Sequence, residues 1–165
     1  MKLKREREAM LPDKNDPAKD SFDLFSSPFY LIAHAEFKYH EDLDKAILKF
    51  DLDRATYRIL TVLMQKSPIN IKELAHLSLL KRSTVSRALT RMSREGWVET
   101  FLNADDNRIT DVYLTSGGKA LSAEVMKLGS RQLQRAVDGL GAADLDELTR
   151  ILKRLIGNLS KLPIE

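Results

Sequence analysis

Between residues 81 and 97 the chain reads KRSTVSRALTRMSREGW, with Lys81, Arg82, Arg87, Arg91 and Arg94 set against a single acid, Glu95. Cationic side chains at this density suit the binding of a polyanion through its phosphates. Ser83, Thr84 and Ser86 stand among them. Short hydroxyls can approach phosphates and base edges closely, and an arginine such as Arg87 can fork to guanine. Arg91 and Arg94 lie one and two turns further along a helix, where phosphate contact is the expected role. A basic run by itself is more often a solvated helix face. The elements around it have to decide.

A chain of 165 residues has room for one compact domain and an extra element or two. Hydrophobic residues make up 43% and charged residues 31%, enough apolar material for a core. The net charge of +3 is slight, so a basic surface must come from clustering. Without cysteine there is no disulfide, thiolate nucleophile or cysteine zinc site. No apolar run approaches the roughly 20 residues that span a bilayer, and MKLKREREAML lacks the apolar core of a secretory signal. A soluble, cytoplasmic protein without cofactor or membrane contact is the expectation. An enzyme is not: Gly117-Gly118 lacks the phosphate-loop fingerprint, and nothing marks a catalytic Ser/His/Asp set.

Residues 1–20 carry many charges, Pro12 and Pro17, and few apolar groups, which predicts a flexible tail. Residues 21–50 predict a long amphipathic helix from about Ser27 to Phe50, with Phe29, Ile32, Ala33, Leu43 and Ile47 on its apolar positions. Asp53 then caps a second helix that turns Ile59, Leu60 and Leu63 inward. After Pro68, Asn70 and Glu73 have capping-box spacing at the head of a short third helix, and the basic stretch forms a fourth that ends at Gly96. The period then changes to alternation in WVETFL and RITDVYLT around the turn ADDN, a hairpin with a charged tip. Thr115 caps a fifth helix, and Asp144 with Glu147 opens a sixth striped by Leu145, Leu148, Ile151, Leu152, Leu155, Ile156 and Leu159. Helix, helix, short helix, basic helix and hairpin is the order of a winged helix-turn-helix over residues 51–115. In that arrangement the basic helix presents its N-terminal half to the major groove.

IKELAHLSLLKRSTVSRALTRMSREGWVE followed by DDNRITDVYLTSGGKAL resembles the MarR family of bacterial transcription regulators, from about residue 25 to the end. The resemblance implies a mainly α fold: a winged helix-turn-helix lobe with a two-stranded β wing, plus N- and C-terminal dimerisation helices. It implies that Lys81, Arg82, Ser83, Thr84, Ser86, Arg87 and Arg91 meet double-stranded DNA. It also implies that Arg108 enters the minor groove, held by Asp106. The physics agrees, because a narrow minor groove concentrates negative potential. Lys81 departs from the capping Asp or Ser that often opens this helix in the family, so either Ser83 caps late or the end frays.

The family works as a homodimer, which implies that residues 21–50 and 116–165 join two chains and that the operator is pseudo-palindromic. A tail that folds back on its own core is the alternative. The family also implies a small aromatic carboxylate as effector, bound between the lobe and the dimer helices. Tyr30, His34, Phe37, Tyr39 and His40 on the first helix and Tyr57 and Thr61 on the second are candidates, with His34 the first choice for the acid. The segment SPFYLIAHAEFKYHEDLDKAI resembles repressors of aromatic-acid breakdown, those answering to hydroxylated nicotinate among them. For any one of these residues, plain packing is the commoner role. Two rival readings are a winged helix used only for protein docking and a metal-responsive regulator. His34, His40 and His76 invite the metal reading, but His34 and His40, six apart, do not share a helix face and no cysteine helps, so no metal site is expected.

Overall fold

A computed structural model describes residues 11–103, 106 and 108–161. The first ten residues of the expected tail, and Ala104, Asp105 and Asn107 of the wing turn, lie outside the described residues. Among the described residues, six α-helices and three short strands follow in the order α1 (Pro28–Ile47), α2 (Arg54–Gln65), β1 (Ile69–Asn70), α3 (Ile71–Leu77), α4 (Arg82–Arg94), β2 (Val98–Leu102), β3 (Thr110–Leu114), α5 (Ser116–Ala136) and α6 (Ala142–Leu159).

The core sits where the lobe helices meet the sheet. Leu43 and Ile47 of α1, Ile59, Leu60 and Leu63 of α2, Leu74 of α3, Val85, Leu89 and Met92 of α4, Val98 and Val112 of the sheet, and Val125 of α5 are all buried. The three- and four-residue spacing of these groups is what commits each segment to an amphipathic helix. Caps fix several helix starts. Asp53 accepts from Thr56 N–H at 2.8 Å, Asn70 from Glu73 N–H at 2.9 Å, and Thr115 from Gly118 N–H at 2.9 Å. Only half of the box expected at Asn70 forms, since Glu73 turns to Lys66 at 2.6 Å. The last helix starts earlier than expected. Asp144 accepts from Gly141 N–H at 2.8 Å, and Glu147 instead pairs with Arg150.

α4 opens at Lys81 with no side-chain cap, and Ser83 supplies none either. The turn before it is a Schellman closure: Leu80 N–H reaches Ala75 C=O at 3.0 Å while Leu79 takes the left-handed conformation, φ +57°. Gly96 does the same at the end of α4 with φ +71°, where Trp97 N–H reaches Met92 C=O at 2.9 Å.

The sheet has the antiparallel order β1–β3–β2, with Ile69 opposite Val112 and Val98 opposite Leu114. β1 is an addition to the expected two-stranded wing. Two residues are too few to show a period. The alternation expected for WVETFL also fails beyond its first strand residue. Val98 is buried, but Glu99 to Leu102 are exposed because this end of the hairpin has no layer over it. Where a flexible tail was expected, residues 11–20 are folded into turns. A 3₁₀ turn forms at Asp13–Asn15, and Asp23 N–H bonds Lys14 C=O at 2.9 Å. The long first helix is α-helical only to Ile47, with a 3₁₀ turn over Leu48–Phe50. No helix among the described residues is long and apolar enough to cross a membrane.

Candidate nucleic-acid interface

Three elements build one cationic face. α4 buries Val85, Leu89 and Met92 against the lobe, so the residues between them point outward. Lys81, Arg82, Ser83, Ser86 and Arg87 are exposed, and Thr84 is half-buried. No side chain caps the first turn of α4, so its positive end faces solvent, where a phosphate is favoured. Arg82 shares an open concavity of about 510 Å3 with Asn70 and Lys72 at the head of α3 and with Arg108 and Thr110 of the wing. Lys72 was missed in the sequence. Only the fold brings the start of α3 beside the wing.

The wing tip is built to present one arginine. Asp106 accepts from the Arg108 backbone N–H at 2.9 Å and from Nε at 3.0 Å through one oxygen, and from a terminal guanidinium nitrogen at 3.0 Å through the other. The Arg108 side chain stays 90% exposed. Hydrogen bonds from that guanidinium hold the Asp106 carboxyl below the usual carboxylate range, and Arg108 is raised in return. Asn103 completes the turn. Its amide donates to Asp111 at 2.6 Å, and its carbonyl oxygen accepts Asp106 N–H at 3.2 Å. A pre-oriented guanidinium loses less entropy on entering a groove than a free one.

Arg91 is placed differently from its neighbours. It donates to the Thr56 hydroxyl at 2.7 Å and lies 3.4 Å from Asp53, so it ties the middle of α4 to the cap of α2. Thr56 is fully buried. Burial tends to raise the Asp53 carboxyl, but the Thr56 N–H and hydroxyl and the Arg91 charge outweigh it and leave the group more acidic than usual.

The effector candidates fall into separate places. Tyr39, Tyr57 and Thr61 meet at the α1–α2–α5 corner. Burial and the neighbouring Tyr57 hydroxyl push the Tyr39 phenol up. Gln132 of α5 donates to Tyr39 C=O at 2.7 Å, and Thr61 bonds back to Tyr57 C=O at 2.9 Å. The corner is closed, for a Cβ on Gly129 would stand 2.6 Å from the Tyr57 hydroxyl. Tyr30 and His34 stack edge-on at 5.7 Å on the N-terminal half of α1, where His34 and Phe37 are exposed. Tyr30 and Tyr39 are roughly two and a half turns apart, which puts them on opposite helix faces. His40 is buried. Its Nδ1 donates to Glu36 C=O at 3.0 Å, beside a Glu36 carboxylate that Arg58 holds at 2.9 Å.

A family model described as the MarR family matches residues 52–110, the stretch from α2 to the wing. The HTH-type transcriptional repressor IacR of Pseudomonas putida is 30% identical over 148 residues, 90% of this chain and 89% of the relative. A mutant MarR of Escherichia coli solved in complex with operator DNA superposes with TM-score 0.67 and 27% identity, over 76% of this chain and 90% of that one. A MarR-family regulator from Silicibacter pomeroyi shares the fold with TM-score 0.78 at 24% identity, over 86% of this chain and 96% of that one. An exposed basic helix beside an aspartate-held wing arginine, with this likeness over nine-tenths of the chain, places it in the MarR family, whose members are transcriptional regulators and not enzymes.

Proposed function

We propose that the chain is a homodimeric repressor that grips a pseudo-palindromic operator and lets go when a small aromatic carboxylate binds. Residues 51–115 serve as the DNA-binding lobe in this reading, and residues 21–50 and 116–165 join the two chains in the cytoplasm. The observation that carries it is α6. Eighteen residues long and striped with leucine and isoleucine, it has no buried residue, and Leu148, Ile151, Ile156 and Leu159 stand exposed. An apolar stripe of that length needs a cover, and a second copy of the chain can supply it by two-fold symmetry. The name of the Pseudomonas putida relative supports the sign of regulation.

The effector, a benzoate, hydroxycinnamate or hydroxynicotinate in kind, is placed at the Tyr39–Tyr57–Thr61 corner. Two phenols there offer hydrogen bonds to an acid and ring faces to an aromatic plane. Because Tyr57 fills the corner against Gly129, entry has to part α5 from α2. The ligand thereby favours a lobe spacing unlike the DNA-bound one. A tenfold loss of operator affinity needs about 1.4 kcal/mol of such preference. The edge contact of Tyr30 with His34 supports a second position on α1. Operator titrations across an acid panel, with wild type, Tyr57→Phe and His34→Ala side by side, test the reading. Blunted release in Tyr57→Phe alone supports the corner, and in His34→Ala alone the α1 stripe. A wild-type curve that no acid shifts removes the aromatic switch.

A further inference from the structure

Residues 11–27 form a small folded unit ahead of α1. Asn15 N–H bonds Pro12 C=O at 2.8 Å, Phe22 N–H bonds Lys19 C=O at 3.0 Å, and the Asp23–Lys14 bond closes the whole into a hook. Asp23 then caps a 3₁₀ turn at Leu24–Ser26, accepting from Phe25 N–H at 3.1 Å. This bonding holds Phe25 in place against Tyr30, ring centroids 5.5 Å apart, yet leaves it 70% exposed, with Leu24 and Phe29 exposed beside it. Asp13, Asp16, Asp20 and Asp23 outnumber Lys14 and Lys19 on the hook. Among the described residues none of the four aspartates forms an ion pair.

α6 has the complementary character in its second half. From Ile151 to Lys161 this half and the turn after it carry Lys153, Arg154 and Lys161 and no acid, and none of the three bases forms an ion pair among the described residues. The same half exposes Ile156 and Leu159. Resting on the dimer reading above, we infer that the hook of one chain closes over the C-terminal half of α6 of a second copy. Phe25 and Leu24 cover Ile156 and Leu159, and the aspartates face the lysines and arginine at the rim. The hook thus extends the α1/α6 seam beyond the helices themselves. Opposite charge on the two surfaces favours this occupant over a second hook, which would meet its own sign.

Sedimentation equilibrium on four proteins tests it at low and at high salt: the full chain, a chain lacking residues 1–26, Asp13→Lys/Asp20→Lys, and that pair combined with Lys153→Glu/Lys161→Glu. The truncation and the first reversal are expected to raise the dimer dissociation constant at least tenfold at low salt, and the combined reversal to recover most of the loss. The effect of reversal should fade at high salt as screening shortens the reach of the charges. Both charge variants keep every backbone bond of the hook, so they decide the matter even where truncation unfolds the chain. A full-length dimer that truncation and reversal leave equally tight, or whose reversal is not recovered by the combination, overturns the hook while the dimer stands. A full-length monomer overturns the dimer reading itself.

Discussion

Arg108 and Arg91 are both proposed for contact with DNA, yet their surroundings suit them to different tasks. Arg108 is exposed and aimed by Asp106, whereas Arg91 is bound inward to Thr56 and Asp53. Arg108→Ala should weaken operator binding by about 1–3 kcal/mol without unfolding, and should flatten the salt dependence by about one unit of slope. Arg91→Ala should lower thermal stability by cutting the tie between α4 and the cap of α2, and should leave that slope as in wild type. Operator titrations at several salt concentrations, beside melting curves, check both. A slope reduced in Arg91→Ala would return it to phosphate contact. Asp53 gives this joint a pH signature. The group is more acidic folded than unfolded, so its stabilisation is complete above the ordinary carboxylate range and is lost as pH falls through the lowered folded value. Asn keeps the helix cap but not the charge. The gap in melting temperature between wild type and Asp53→Asn should therefore be widest near neutrality and close on acidification. The Asp106–Arg108 pair was legible because its members are two residues apart. The partners of Arg91 and the place of Lys72 lie in distant segments that only the fold brings together.

At the scale of elements, the base of the wing is the tightest joint. Thr115 accepts from Gly118 N–H, donates to Gly96 C=O at 2.6 Å, and bonds Trp97 C=O through its own N–H at 3.1 Å. A Cβ on Gly118 would lie 2.0 Å from the Trp97 carbonyl oxygen, a backbone atom that cannot turn aside. Gly118→Ala should thus push α5 off the wing and cost about 3 kcal/mol, read from denaturant unfolding. An unchanged midpoint would mean that α5 can slide freely there. The helices were legible from their apolar spacing, and Asp53 and Thr115 from cap chemistry. The weaker signals failed for physical reasons. A two-residue strand has no period, and an exposed wing strand need not alternate. The left-handed turn before α4 also carries Leu79 where a glycine would have announced it. Of the effector candidates, the sequence could list rings and hydroxyls but not their faces. Tyr39, Tyr57 and Thr61 converge through α1 and α2, while Tyr30 and His34 share the opposite face of α1.

For the whole molecule, the lobe is complete within one chain and the last helix is not. That asymmetry is the ground on which the dimer is proposed, and the two-fold symmetry of such a dimer would dictate the form of the DNA. Recognition helices related by a dyad read two inverted half-sites whose centres are about one helical turn, roughly 34–36 Å, apart. Selection of duplexes from a random pool by the purified protein, followed by the mass of the complex formed, addresses this most directly. The expected result is an inverted repeat with that spacing, bound by two chains per duplex and lost when either half is scrambled. A selected sequence without inverted symmetry, bound by one chain, would contradict the account.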